Sequence, residues 1–153
     1  MKRHWTLPRV LVGAVLTNTV VGPLLADMVI PEVAKQHLHN PNWPPHAKFH
    51  DAQYIGMGAM IGAIGLRILA RRKGDPRAQF YLSAALGSVT WLGMWGALLF
   101  PGTAAKDPEF KHDGGKVLGL DPQLFIALAM LVGLSSAVVL ERTRWRIPQL
   151  PAE

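Results

Sequence analysis

Charge-free apolar runs organise this chain. Residues 10–26, 52–66, 78–105 and 122–140 contain no Asp, Glu, Lys or Arg. A helix needs roughly 20 apolar residues to cross a bilayer, and each run approaches or exceeds that once polar ends reach the headgroups. The second run is the shortest, but it extends to Ala70 if Arg67 snorkels to the nearby interface. Helices of a soluble bundle show a polar face at a 3.6-residue period, and these runs show none. The pattern predicts four transmembrane helices at about 8–30, 45–71, 77–100 and 121–141. The expected fold is all-α, a left-handed integral membrane bundle forming one domain over residues 1–153.

Charge then orients the bundle. Eleven of the sixteen basic residues (Lys2, Arg3, Arg9, Arg67, Arg71, Arg72, Lys73, Arg77, Arg142, Arg144 and Arg146) lie at the termini and the 67–77 loop. Only Asp75, Glu141 and Glu153 oppose them there, whereas the other side holds five basic and seven acidic residues. By the positive-inside rule both termini are cytoplasmic. The net charge of +6 therefore reflects membrane topology and not a nucleic-acid stripe. The first 26 residues also resemble a signal peptide, with a basic start and an apolar centre. Leu24 stands where the cut after Ala26 wants a small residue, and Thr17-Asn18-Thr19 interrupts the apolar core, so an uncleaved anchor is expected. The expected location is the bacterial inner membrane.

Small residues indicate how the helices meet. Gly58 and Gly62 form a GxxxG stripe, with Ala59 and Ala63 in the next register. Such stripes let helices approach closely in lipid, here against a neighbouring helix or against a second copy or another subunit. Gly22-Pro23 should kink the first helix and free a carbonyl one turn earlier. Ser135 and Ser136 can bond across helices or to their own backbone. Asn18, Thr17 and Thr19 are expected to make interhelical hydrogen bonds.

The candidate chemistry lies in "HLHNPNWPPHAKFHDAQ", residues 37–53, which collects four of the six histidines. Cysteine is absent, so thiol chemistry, disulfides and Cys-based metal sites are excluded. Asn42 is a fair helix cap and Pro44 or Pro45 suits the first helical position. His46, His50, Gln53 and Met57 then share one helical face running into the membrane, with Asp51 about 100° away from His50. His37 and His39 sit in the preceding loop, able to fold over that face. Asp27 lies at similar depth beyond the Pro23 kink, and Trp91 and Trp95 are one turn apart on the third span.

Three readings compete for this segment. His46 and His50, completed by His37, His39, Asp27 or Asp51, have the spacing of a helical metal site for one divalent copper, zinc or iron ion. Alternatively His46 and His50 work with Asp27 and Asp51 in metal-free acid–base chemistry on a lipophilic molecule. Gln53 would then bind the substrate and Trp43, Trp91 and Trp95 would wall the cavity. Or the polar residues are only an interfacial hem. The stretch Asn40-Pro41-x-Trp43-x-x-His46-x-x-Phe49-His50-x-x-Gln53, followed by the glycine stripe, resembles the signature of an uncharacterised family of small four-span membrane proteins. That resemblance implies that the histidine segment is the family's shared feature, without supplying a reaction. An enzyme with an outward-opening pocket between the first three spans is the leading expectation, and a non-catalytic subunit of a larger membrane complex is the rival.

Overall fold

The computed structural model describes residues 5–146, with only the backbone at Arg146. Lys2, Arg3 and Glu153, which enter the charge count above, lie outside the described residues. The chain is helical: α1 (Leu7–Leu24) runs on into a π-helical turn (Leu25–Val29), then come a short α2 (Pro31–Ala34), α3 (Pro45–Ala70), α4 (Pro76–Ala97) and α5 (Pro122–Arg146). A single 3-10 turn, Pro108–Phe110, punctuates the connection before α5. Each expected span is met by a long helix, with ends displaced by up to about five residues, as helix ends commonly are. Three segments, Leu7–Val29, Pro45–Ala70 and Pro122–Trp145, are long and apolar enough to cross a membrane.

The exterior fits such a setting. Met57, Met60, Ile64, Leu82, Val89, Leu92, Val132 and Val139 are all exposed along the long helices. Contiguous apolar surface of that kind is at home in lipid, where it meets hydrocarbon, and is unfavourable in water. Buried side chains gather on one line through the molecule, from Val12, Val15 and Leu16 of α1 to Phe80, Ala84 and Trp91 of α4 and Ala127, Leu134 and Ala137 of α5. α1 packs against α3, α4 and α5, whereas α3 and α5 stand apart on opposite sides of the α1–α4 pair.

Glycine sets the tightest of these contacts. A methyl group on Gly62 would lie 2.6 Å from Val20 Cγ2 and 2.9 Å from the Leu16 carbonyl oxygen, and one on Gly65 would lie 2.6 Å from Leu16 Cδ2. The backbones of α1 and α3 thus approach as GxxxG packing requires. Within the chain it is α1 that packs on the Gly58/Gly62 stripe, the neighbouring-helix alternative for that face. The threonines of α1 depart from expectation. Thr17 and Thr19 donate to their own helix, to the carbonyls of Gly13 (2.9 Å) and Val15 (3.0 Å). The interhelical bond comes instead from Ser83, which donates to the Gly65 carbonyl at 3.0 Å.

One end of the molecule is tied by a buried arginine. Arg9, 4% exposed, donates to the Pro76 carbonyl at 3.2 Å and to that of Leu69, so α1 satisfies carbonyls at the end of α3 and the start of α4. A buried guanidinium is costly unless paired, and Arg9 interacts electrostatically with the equally buried Glu141 of α5. Gly74, at φ +100°, takes the turn between α3 and α4, and Asp75 caps α4 by accepting from the Arg77 amide at 2.9 Å.

Gly62→Val should disrupt the α1–α3 contact, because backbone and not a flexible tip stands in the way. A loss of about 1–3 kcal/mol is expected for such overpacking, read as a lower unfolding temperature in detergent. Gly56→Ala, where nothing lies within 4 Å of the added methyl, should leave it unchanged or slightly raised.

Candidate functional site at the histidine end

At the end opposite Arg9, local backbone chemistry turns an acid inward. Pro23 sits inside the helix and has no amide hydrogen to donate. The chain beyond it widens into the π turn, closed by Ile30 N–H donating to the Leu25 carbonyl at 2.8 Å. π turns of this kind recur at functional sites. Asp27 lies within it and is 6% exposed, although its neighbours Met28 and Val29 face out.

The following loop brings a histidine to that acid. His37 Nδ1–H donates to the Val33 carbonyl at 3.0 Å and lies 3.4 Å from Asp27 Oδ1. Both acceptors draw the proton to Nδ1, which leaves Nε2 of the neutral ring as an acceptor or base. The ring packs edge-on to Trp43, with centroids 6.1 Å apart. Two further groups arrive from α3. Asp51 interacts electrostatically with both Asp27 and His37, and Tyr54 with both carboxylates. Asp51 Oδ2 is buried without a hydrogen-bond donor among the described residues. The assembled group is therefore Asp27, His37, Asp51 and Tyr54.

The antiparallel register brings α4 to the same level. Ser83 pairs with Gly65, and Thr90 lies beside Gly58; extended by a turn, the same register sets Trp95 level with Gln53. Trp91 is buried and Trp95 half-buried, and both indole N–H groups are enclosed without an acceptor among the described residues. Buried polar groups are nearly always paired with protein or water, so these two donors and the Asp51 oxygen are polar positions that the protein itself does not satisfy.

The row His46, His50 and Gln53 goes elsewhere. All three side chains are exposed, on the face of α3 away from α1, so they do not line the interior as expected. The helical phase explains it: the buried residues of α3 are Ile55, Gly58, Gly62, Gly65 and Leu69, and that stripe continues upward to Tyr54 and Asp51. The exposed row forms its own chain of contacts. His46 and His50 meet at 3.1 Å between their Nε2 atoms, and His50 Nδ1 donates to Gln53 Oε1 at 3.1 Å. His39 is exposed and joins neither group. Among the described residues no three His, Asp or Glu side chains converge as a metal shell.

The Asn-Pro-x-Trp stretch serves as a latch. Asn40, fully buried, donates to Glu109 Oε1 at 2.9 Å and accepts from the Asn42 amide at 2.8 Å. Asn42 Nδ2 donates to Glu109 Oε2 at 2.7 Å, so Asn42 binds the second loop and does not cap α3. Pro44 holds the cap position and Pro45 opens the helix. Trp43 Nε1 donates to Asp107 Oδ2 at 2.7 Å, so its polar edge is engaged by that loop. Lys106 then ties the loop to α5 through Asp121 at 3.4 Å, and Lys35 reaches Asp113 at 3.5 Å. Sequence reading singled out the histidines but overlooked Tyr54, whose i+3 spacing from Asp51 on the glycine stripe was the available signal.

The chain belongs to a family of unknown function, DUF6640, whose model matches residues 10–149. That match encompasses the whole segment from Asn40 to Gln53. No curated protein and no solved structure matches the chain.

Asn40→Ala should free the latch. It removes the buried partner of a hydrogen bond to the exposed Glu109 carboxylate, a loss of about 1.5–3 kcal/mol for a bond to a charged group. Limited proteolysis within residues 101–121 should accelerate several-fold, while cleavage at the 71–75 turn stays unchanged.

Proposed function

We propose that this protein is an integral membrane enzyme that performs acid–base chemistry on a lipophilic small molecule, with His37 and Asp27 as its proton-handling pair. The observation that carries the reading is a carboxyl group, 6% exposed, held 3.4 Å from an imidazole nitrogen with a second, partly unsatisfied carboxyl beside it. Ionisable groups in an apolar bundle are expensive to keep and are generally functional. Asp27 orients the His37 ring and stabilises its charged form, and Nε2 takes or gives the proton, as in carboxylate–histidine pairs generally. Asp51 and the indole N–H groups of Trp91 and Trp95 offer one acceptor and two donors to the polar end of a substrate. A neutral oxygenated lipophile, bearing a hydroxyl or carbonyl, fits that set.

In this reading the four long helices all span the membrane, the basic end faces the cytoplasm and the histidine end opens on the far side of a bacterial inner membrane. His37 and Asp27 take the catalytic role that helical spacing alone had suggested for His46 and His50. A second reading, a non-catalytic subunit of a larger membrane complex, is favoured by α5. Ser135 and Ser136 are exposed there beside Leu131, Val132 and Val139 in a shallow hollow, and polar side chains on an otherwise apolar membrane face commonly mark a helix–helix contact.

The test is conversion of a total lipid extract by purified protein in nanodiscs, followed by mass spectrometry. Wild type should generate a product that Asp27→Asn and His37→Ala reduce by about 10²–10⁴-fold, the usual contribution of a general acid–base. His46→Ala should leave it unaltered. Conversion indistinguishable from empty nanodiscs, or insensitive to both substitutions, overturns the proposal.

A further inference from the structure

On the opposite face of α3 from Asp51, we infer that His46 and His50 form a binding site for one divalent transition-metal ion, held by their two Nε2 atoms. The geometry carries this. The Nε2 atoms lie 3.1 Å apart on successive turns of one rigid helix. Two nitrogens each bound to a single ion at about 2.0–2.1 Å lie roughly 2.9–3.4 Å apart for bond angles between square and tetrahedral. The pair is therefore already spaced as two ligands of one ion, and a rotation of the two exposed rings turns both lone pairs to it.

Gln53 supplies the second condition, the correct tautomer. Its side-chain oxygen accepts from His50 Nδ1 at 3.1 Å, so the proton of the neutral ring resides on Nδ1 and the lone pair on Nε2 is free. A partner of this kind, which orients a ligating imidazole through its other nitrogen, is the usual support of a histidine metal ligand. His46 completes the pair. Its ring lies parallel to Phe49, 3° apart in plane, and its exposed edge leaves Nδ1 free to carry the proton while Nε2 turns to the metal. Without an ion, one of the two facing Nε2 atoms must hold a hydrogen to bridge to the other; with one, both lone pairs are used.

Two imidazoles and no thiolate or carboxylate select borderline ions such as copper(II), nickel or zinc over calcium or magnesium. No third protein ligand converges on the pair among the described residues, so water fills the remaining positions and the site is open. It shares no side chain with Asp27 or His37, and its readout does not depend on catalysis.

Untagged full-length protein in detergent micelles should be dialysed to equilibrium against zinc(II) and, separately, copper(II), with bound metal counted by elemental analysis. The expected result is one ion per chain, copper held more tightly than zinc. His46→Ala and His50→Ala should each weaken binding at least tenfold. Gln53→Ala should weaken it about 10–100-fold through loss of the orienting hydrogen bond. His37→Ala and Asp27→Asn should leave it unchanged. The side chains of His46, His50 and Gln53 are exposed, so their removal does not threaten the fold. Absence of stoichiometric zinc or copper at about 100 µM free ion, or equal uptake by the His46 and His50 variants, overturns the site.

Discussion

The closeness of the α1 and α3 backbones governs the rest of this molecule. Gly62 and Gly65 let the Leu16 side chain and carbonyl lie where any larger residue would collide. In lipid there is no hydrophobic gain from bringing two apolar helices together, so close van der Waals contact must supply the attraction. That contact also fixes a register. Gly58 comes to rest beside the Thr19 carbonyl, and continuing one or two turns toward the histidine end brings Tyr54 and Asp51 to the level of Asp27. The chemistry of that end is thus a consequence of packing set in the middle of the helices.

Register alone would not have turned Asp27 inward. Pro23 removes one backbone donor, and the π turn after it rotates Asp27 away from its exposed neighbours to within 3.4 Å of His37, where Asp51 also acts on it electrostatically. The loop that carries His37 is held in turn by a polar latch, in which Asn40, Asn42 and Trp43 bond Glu109 and Asp107. Two distant connections are thereby pinned to each other over the buried carboxyl. A site assembled from a π-turned helix end and a latched loop gains its order from both supports at once.

α3 carries two polar groups on two faces. One face holds Asp51 and Tyr54 above the glycine stripe; the other holds His46, His50 and Gln53 in a hydrogen-bonded row facing outward. Residues one position apart on a helix point about 100° from each other, so His50 and Asp51 can serve separate purposes although they are adjacent in sequence. The clustering of four histidines in seventeen residues suggested one site. The helix divides it.

Much of the architecture was legible in the chain, because it follows from local quantities. Charge-free runs located the long helices, the Pro44-Pro45 pair marked the start of α3, and the glycine spacing identified the face of closest approach. These features depend on residues within a few turns of one another. The partner of that glycine face, however, is α1 of the same chain, and only the folded packing shows it to be occupied. Likewise, periodicity aligned His46, His50 and Gln53 correctly on one face but had no means of saying which way the face points. Its phase is decided by where α1 finds room, at the glycines. Asp27 with His37, and Asn40 with Glu109, are pairings across loops whose geometry no helical period encodes. The sequence by itself determined that this is a helical, membrane-compatible chain with its polar chemistry at one end. The tertiary structure decided which of those polar groups meet, because burial and register act between helices that are far apart along the chain.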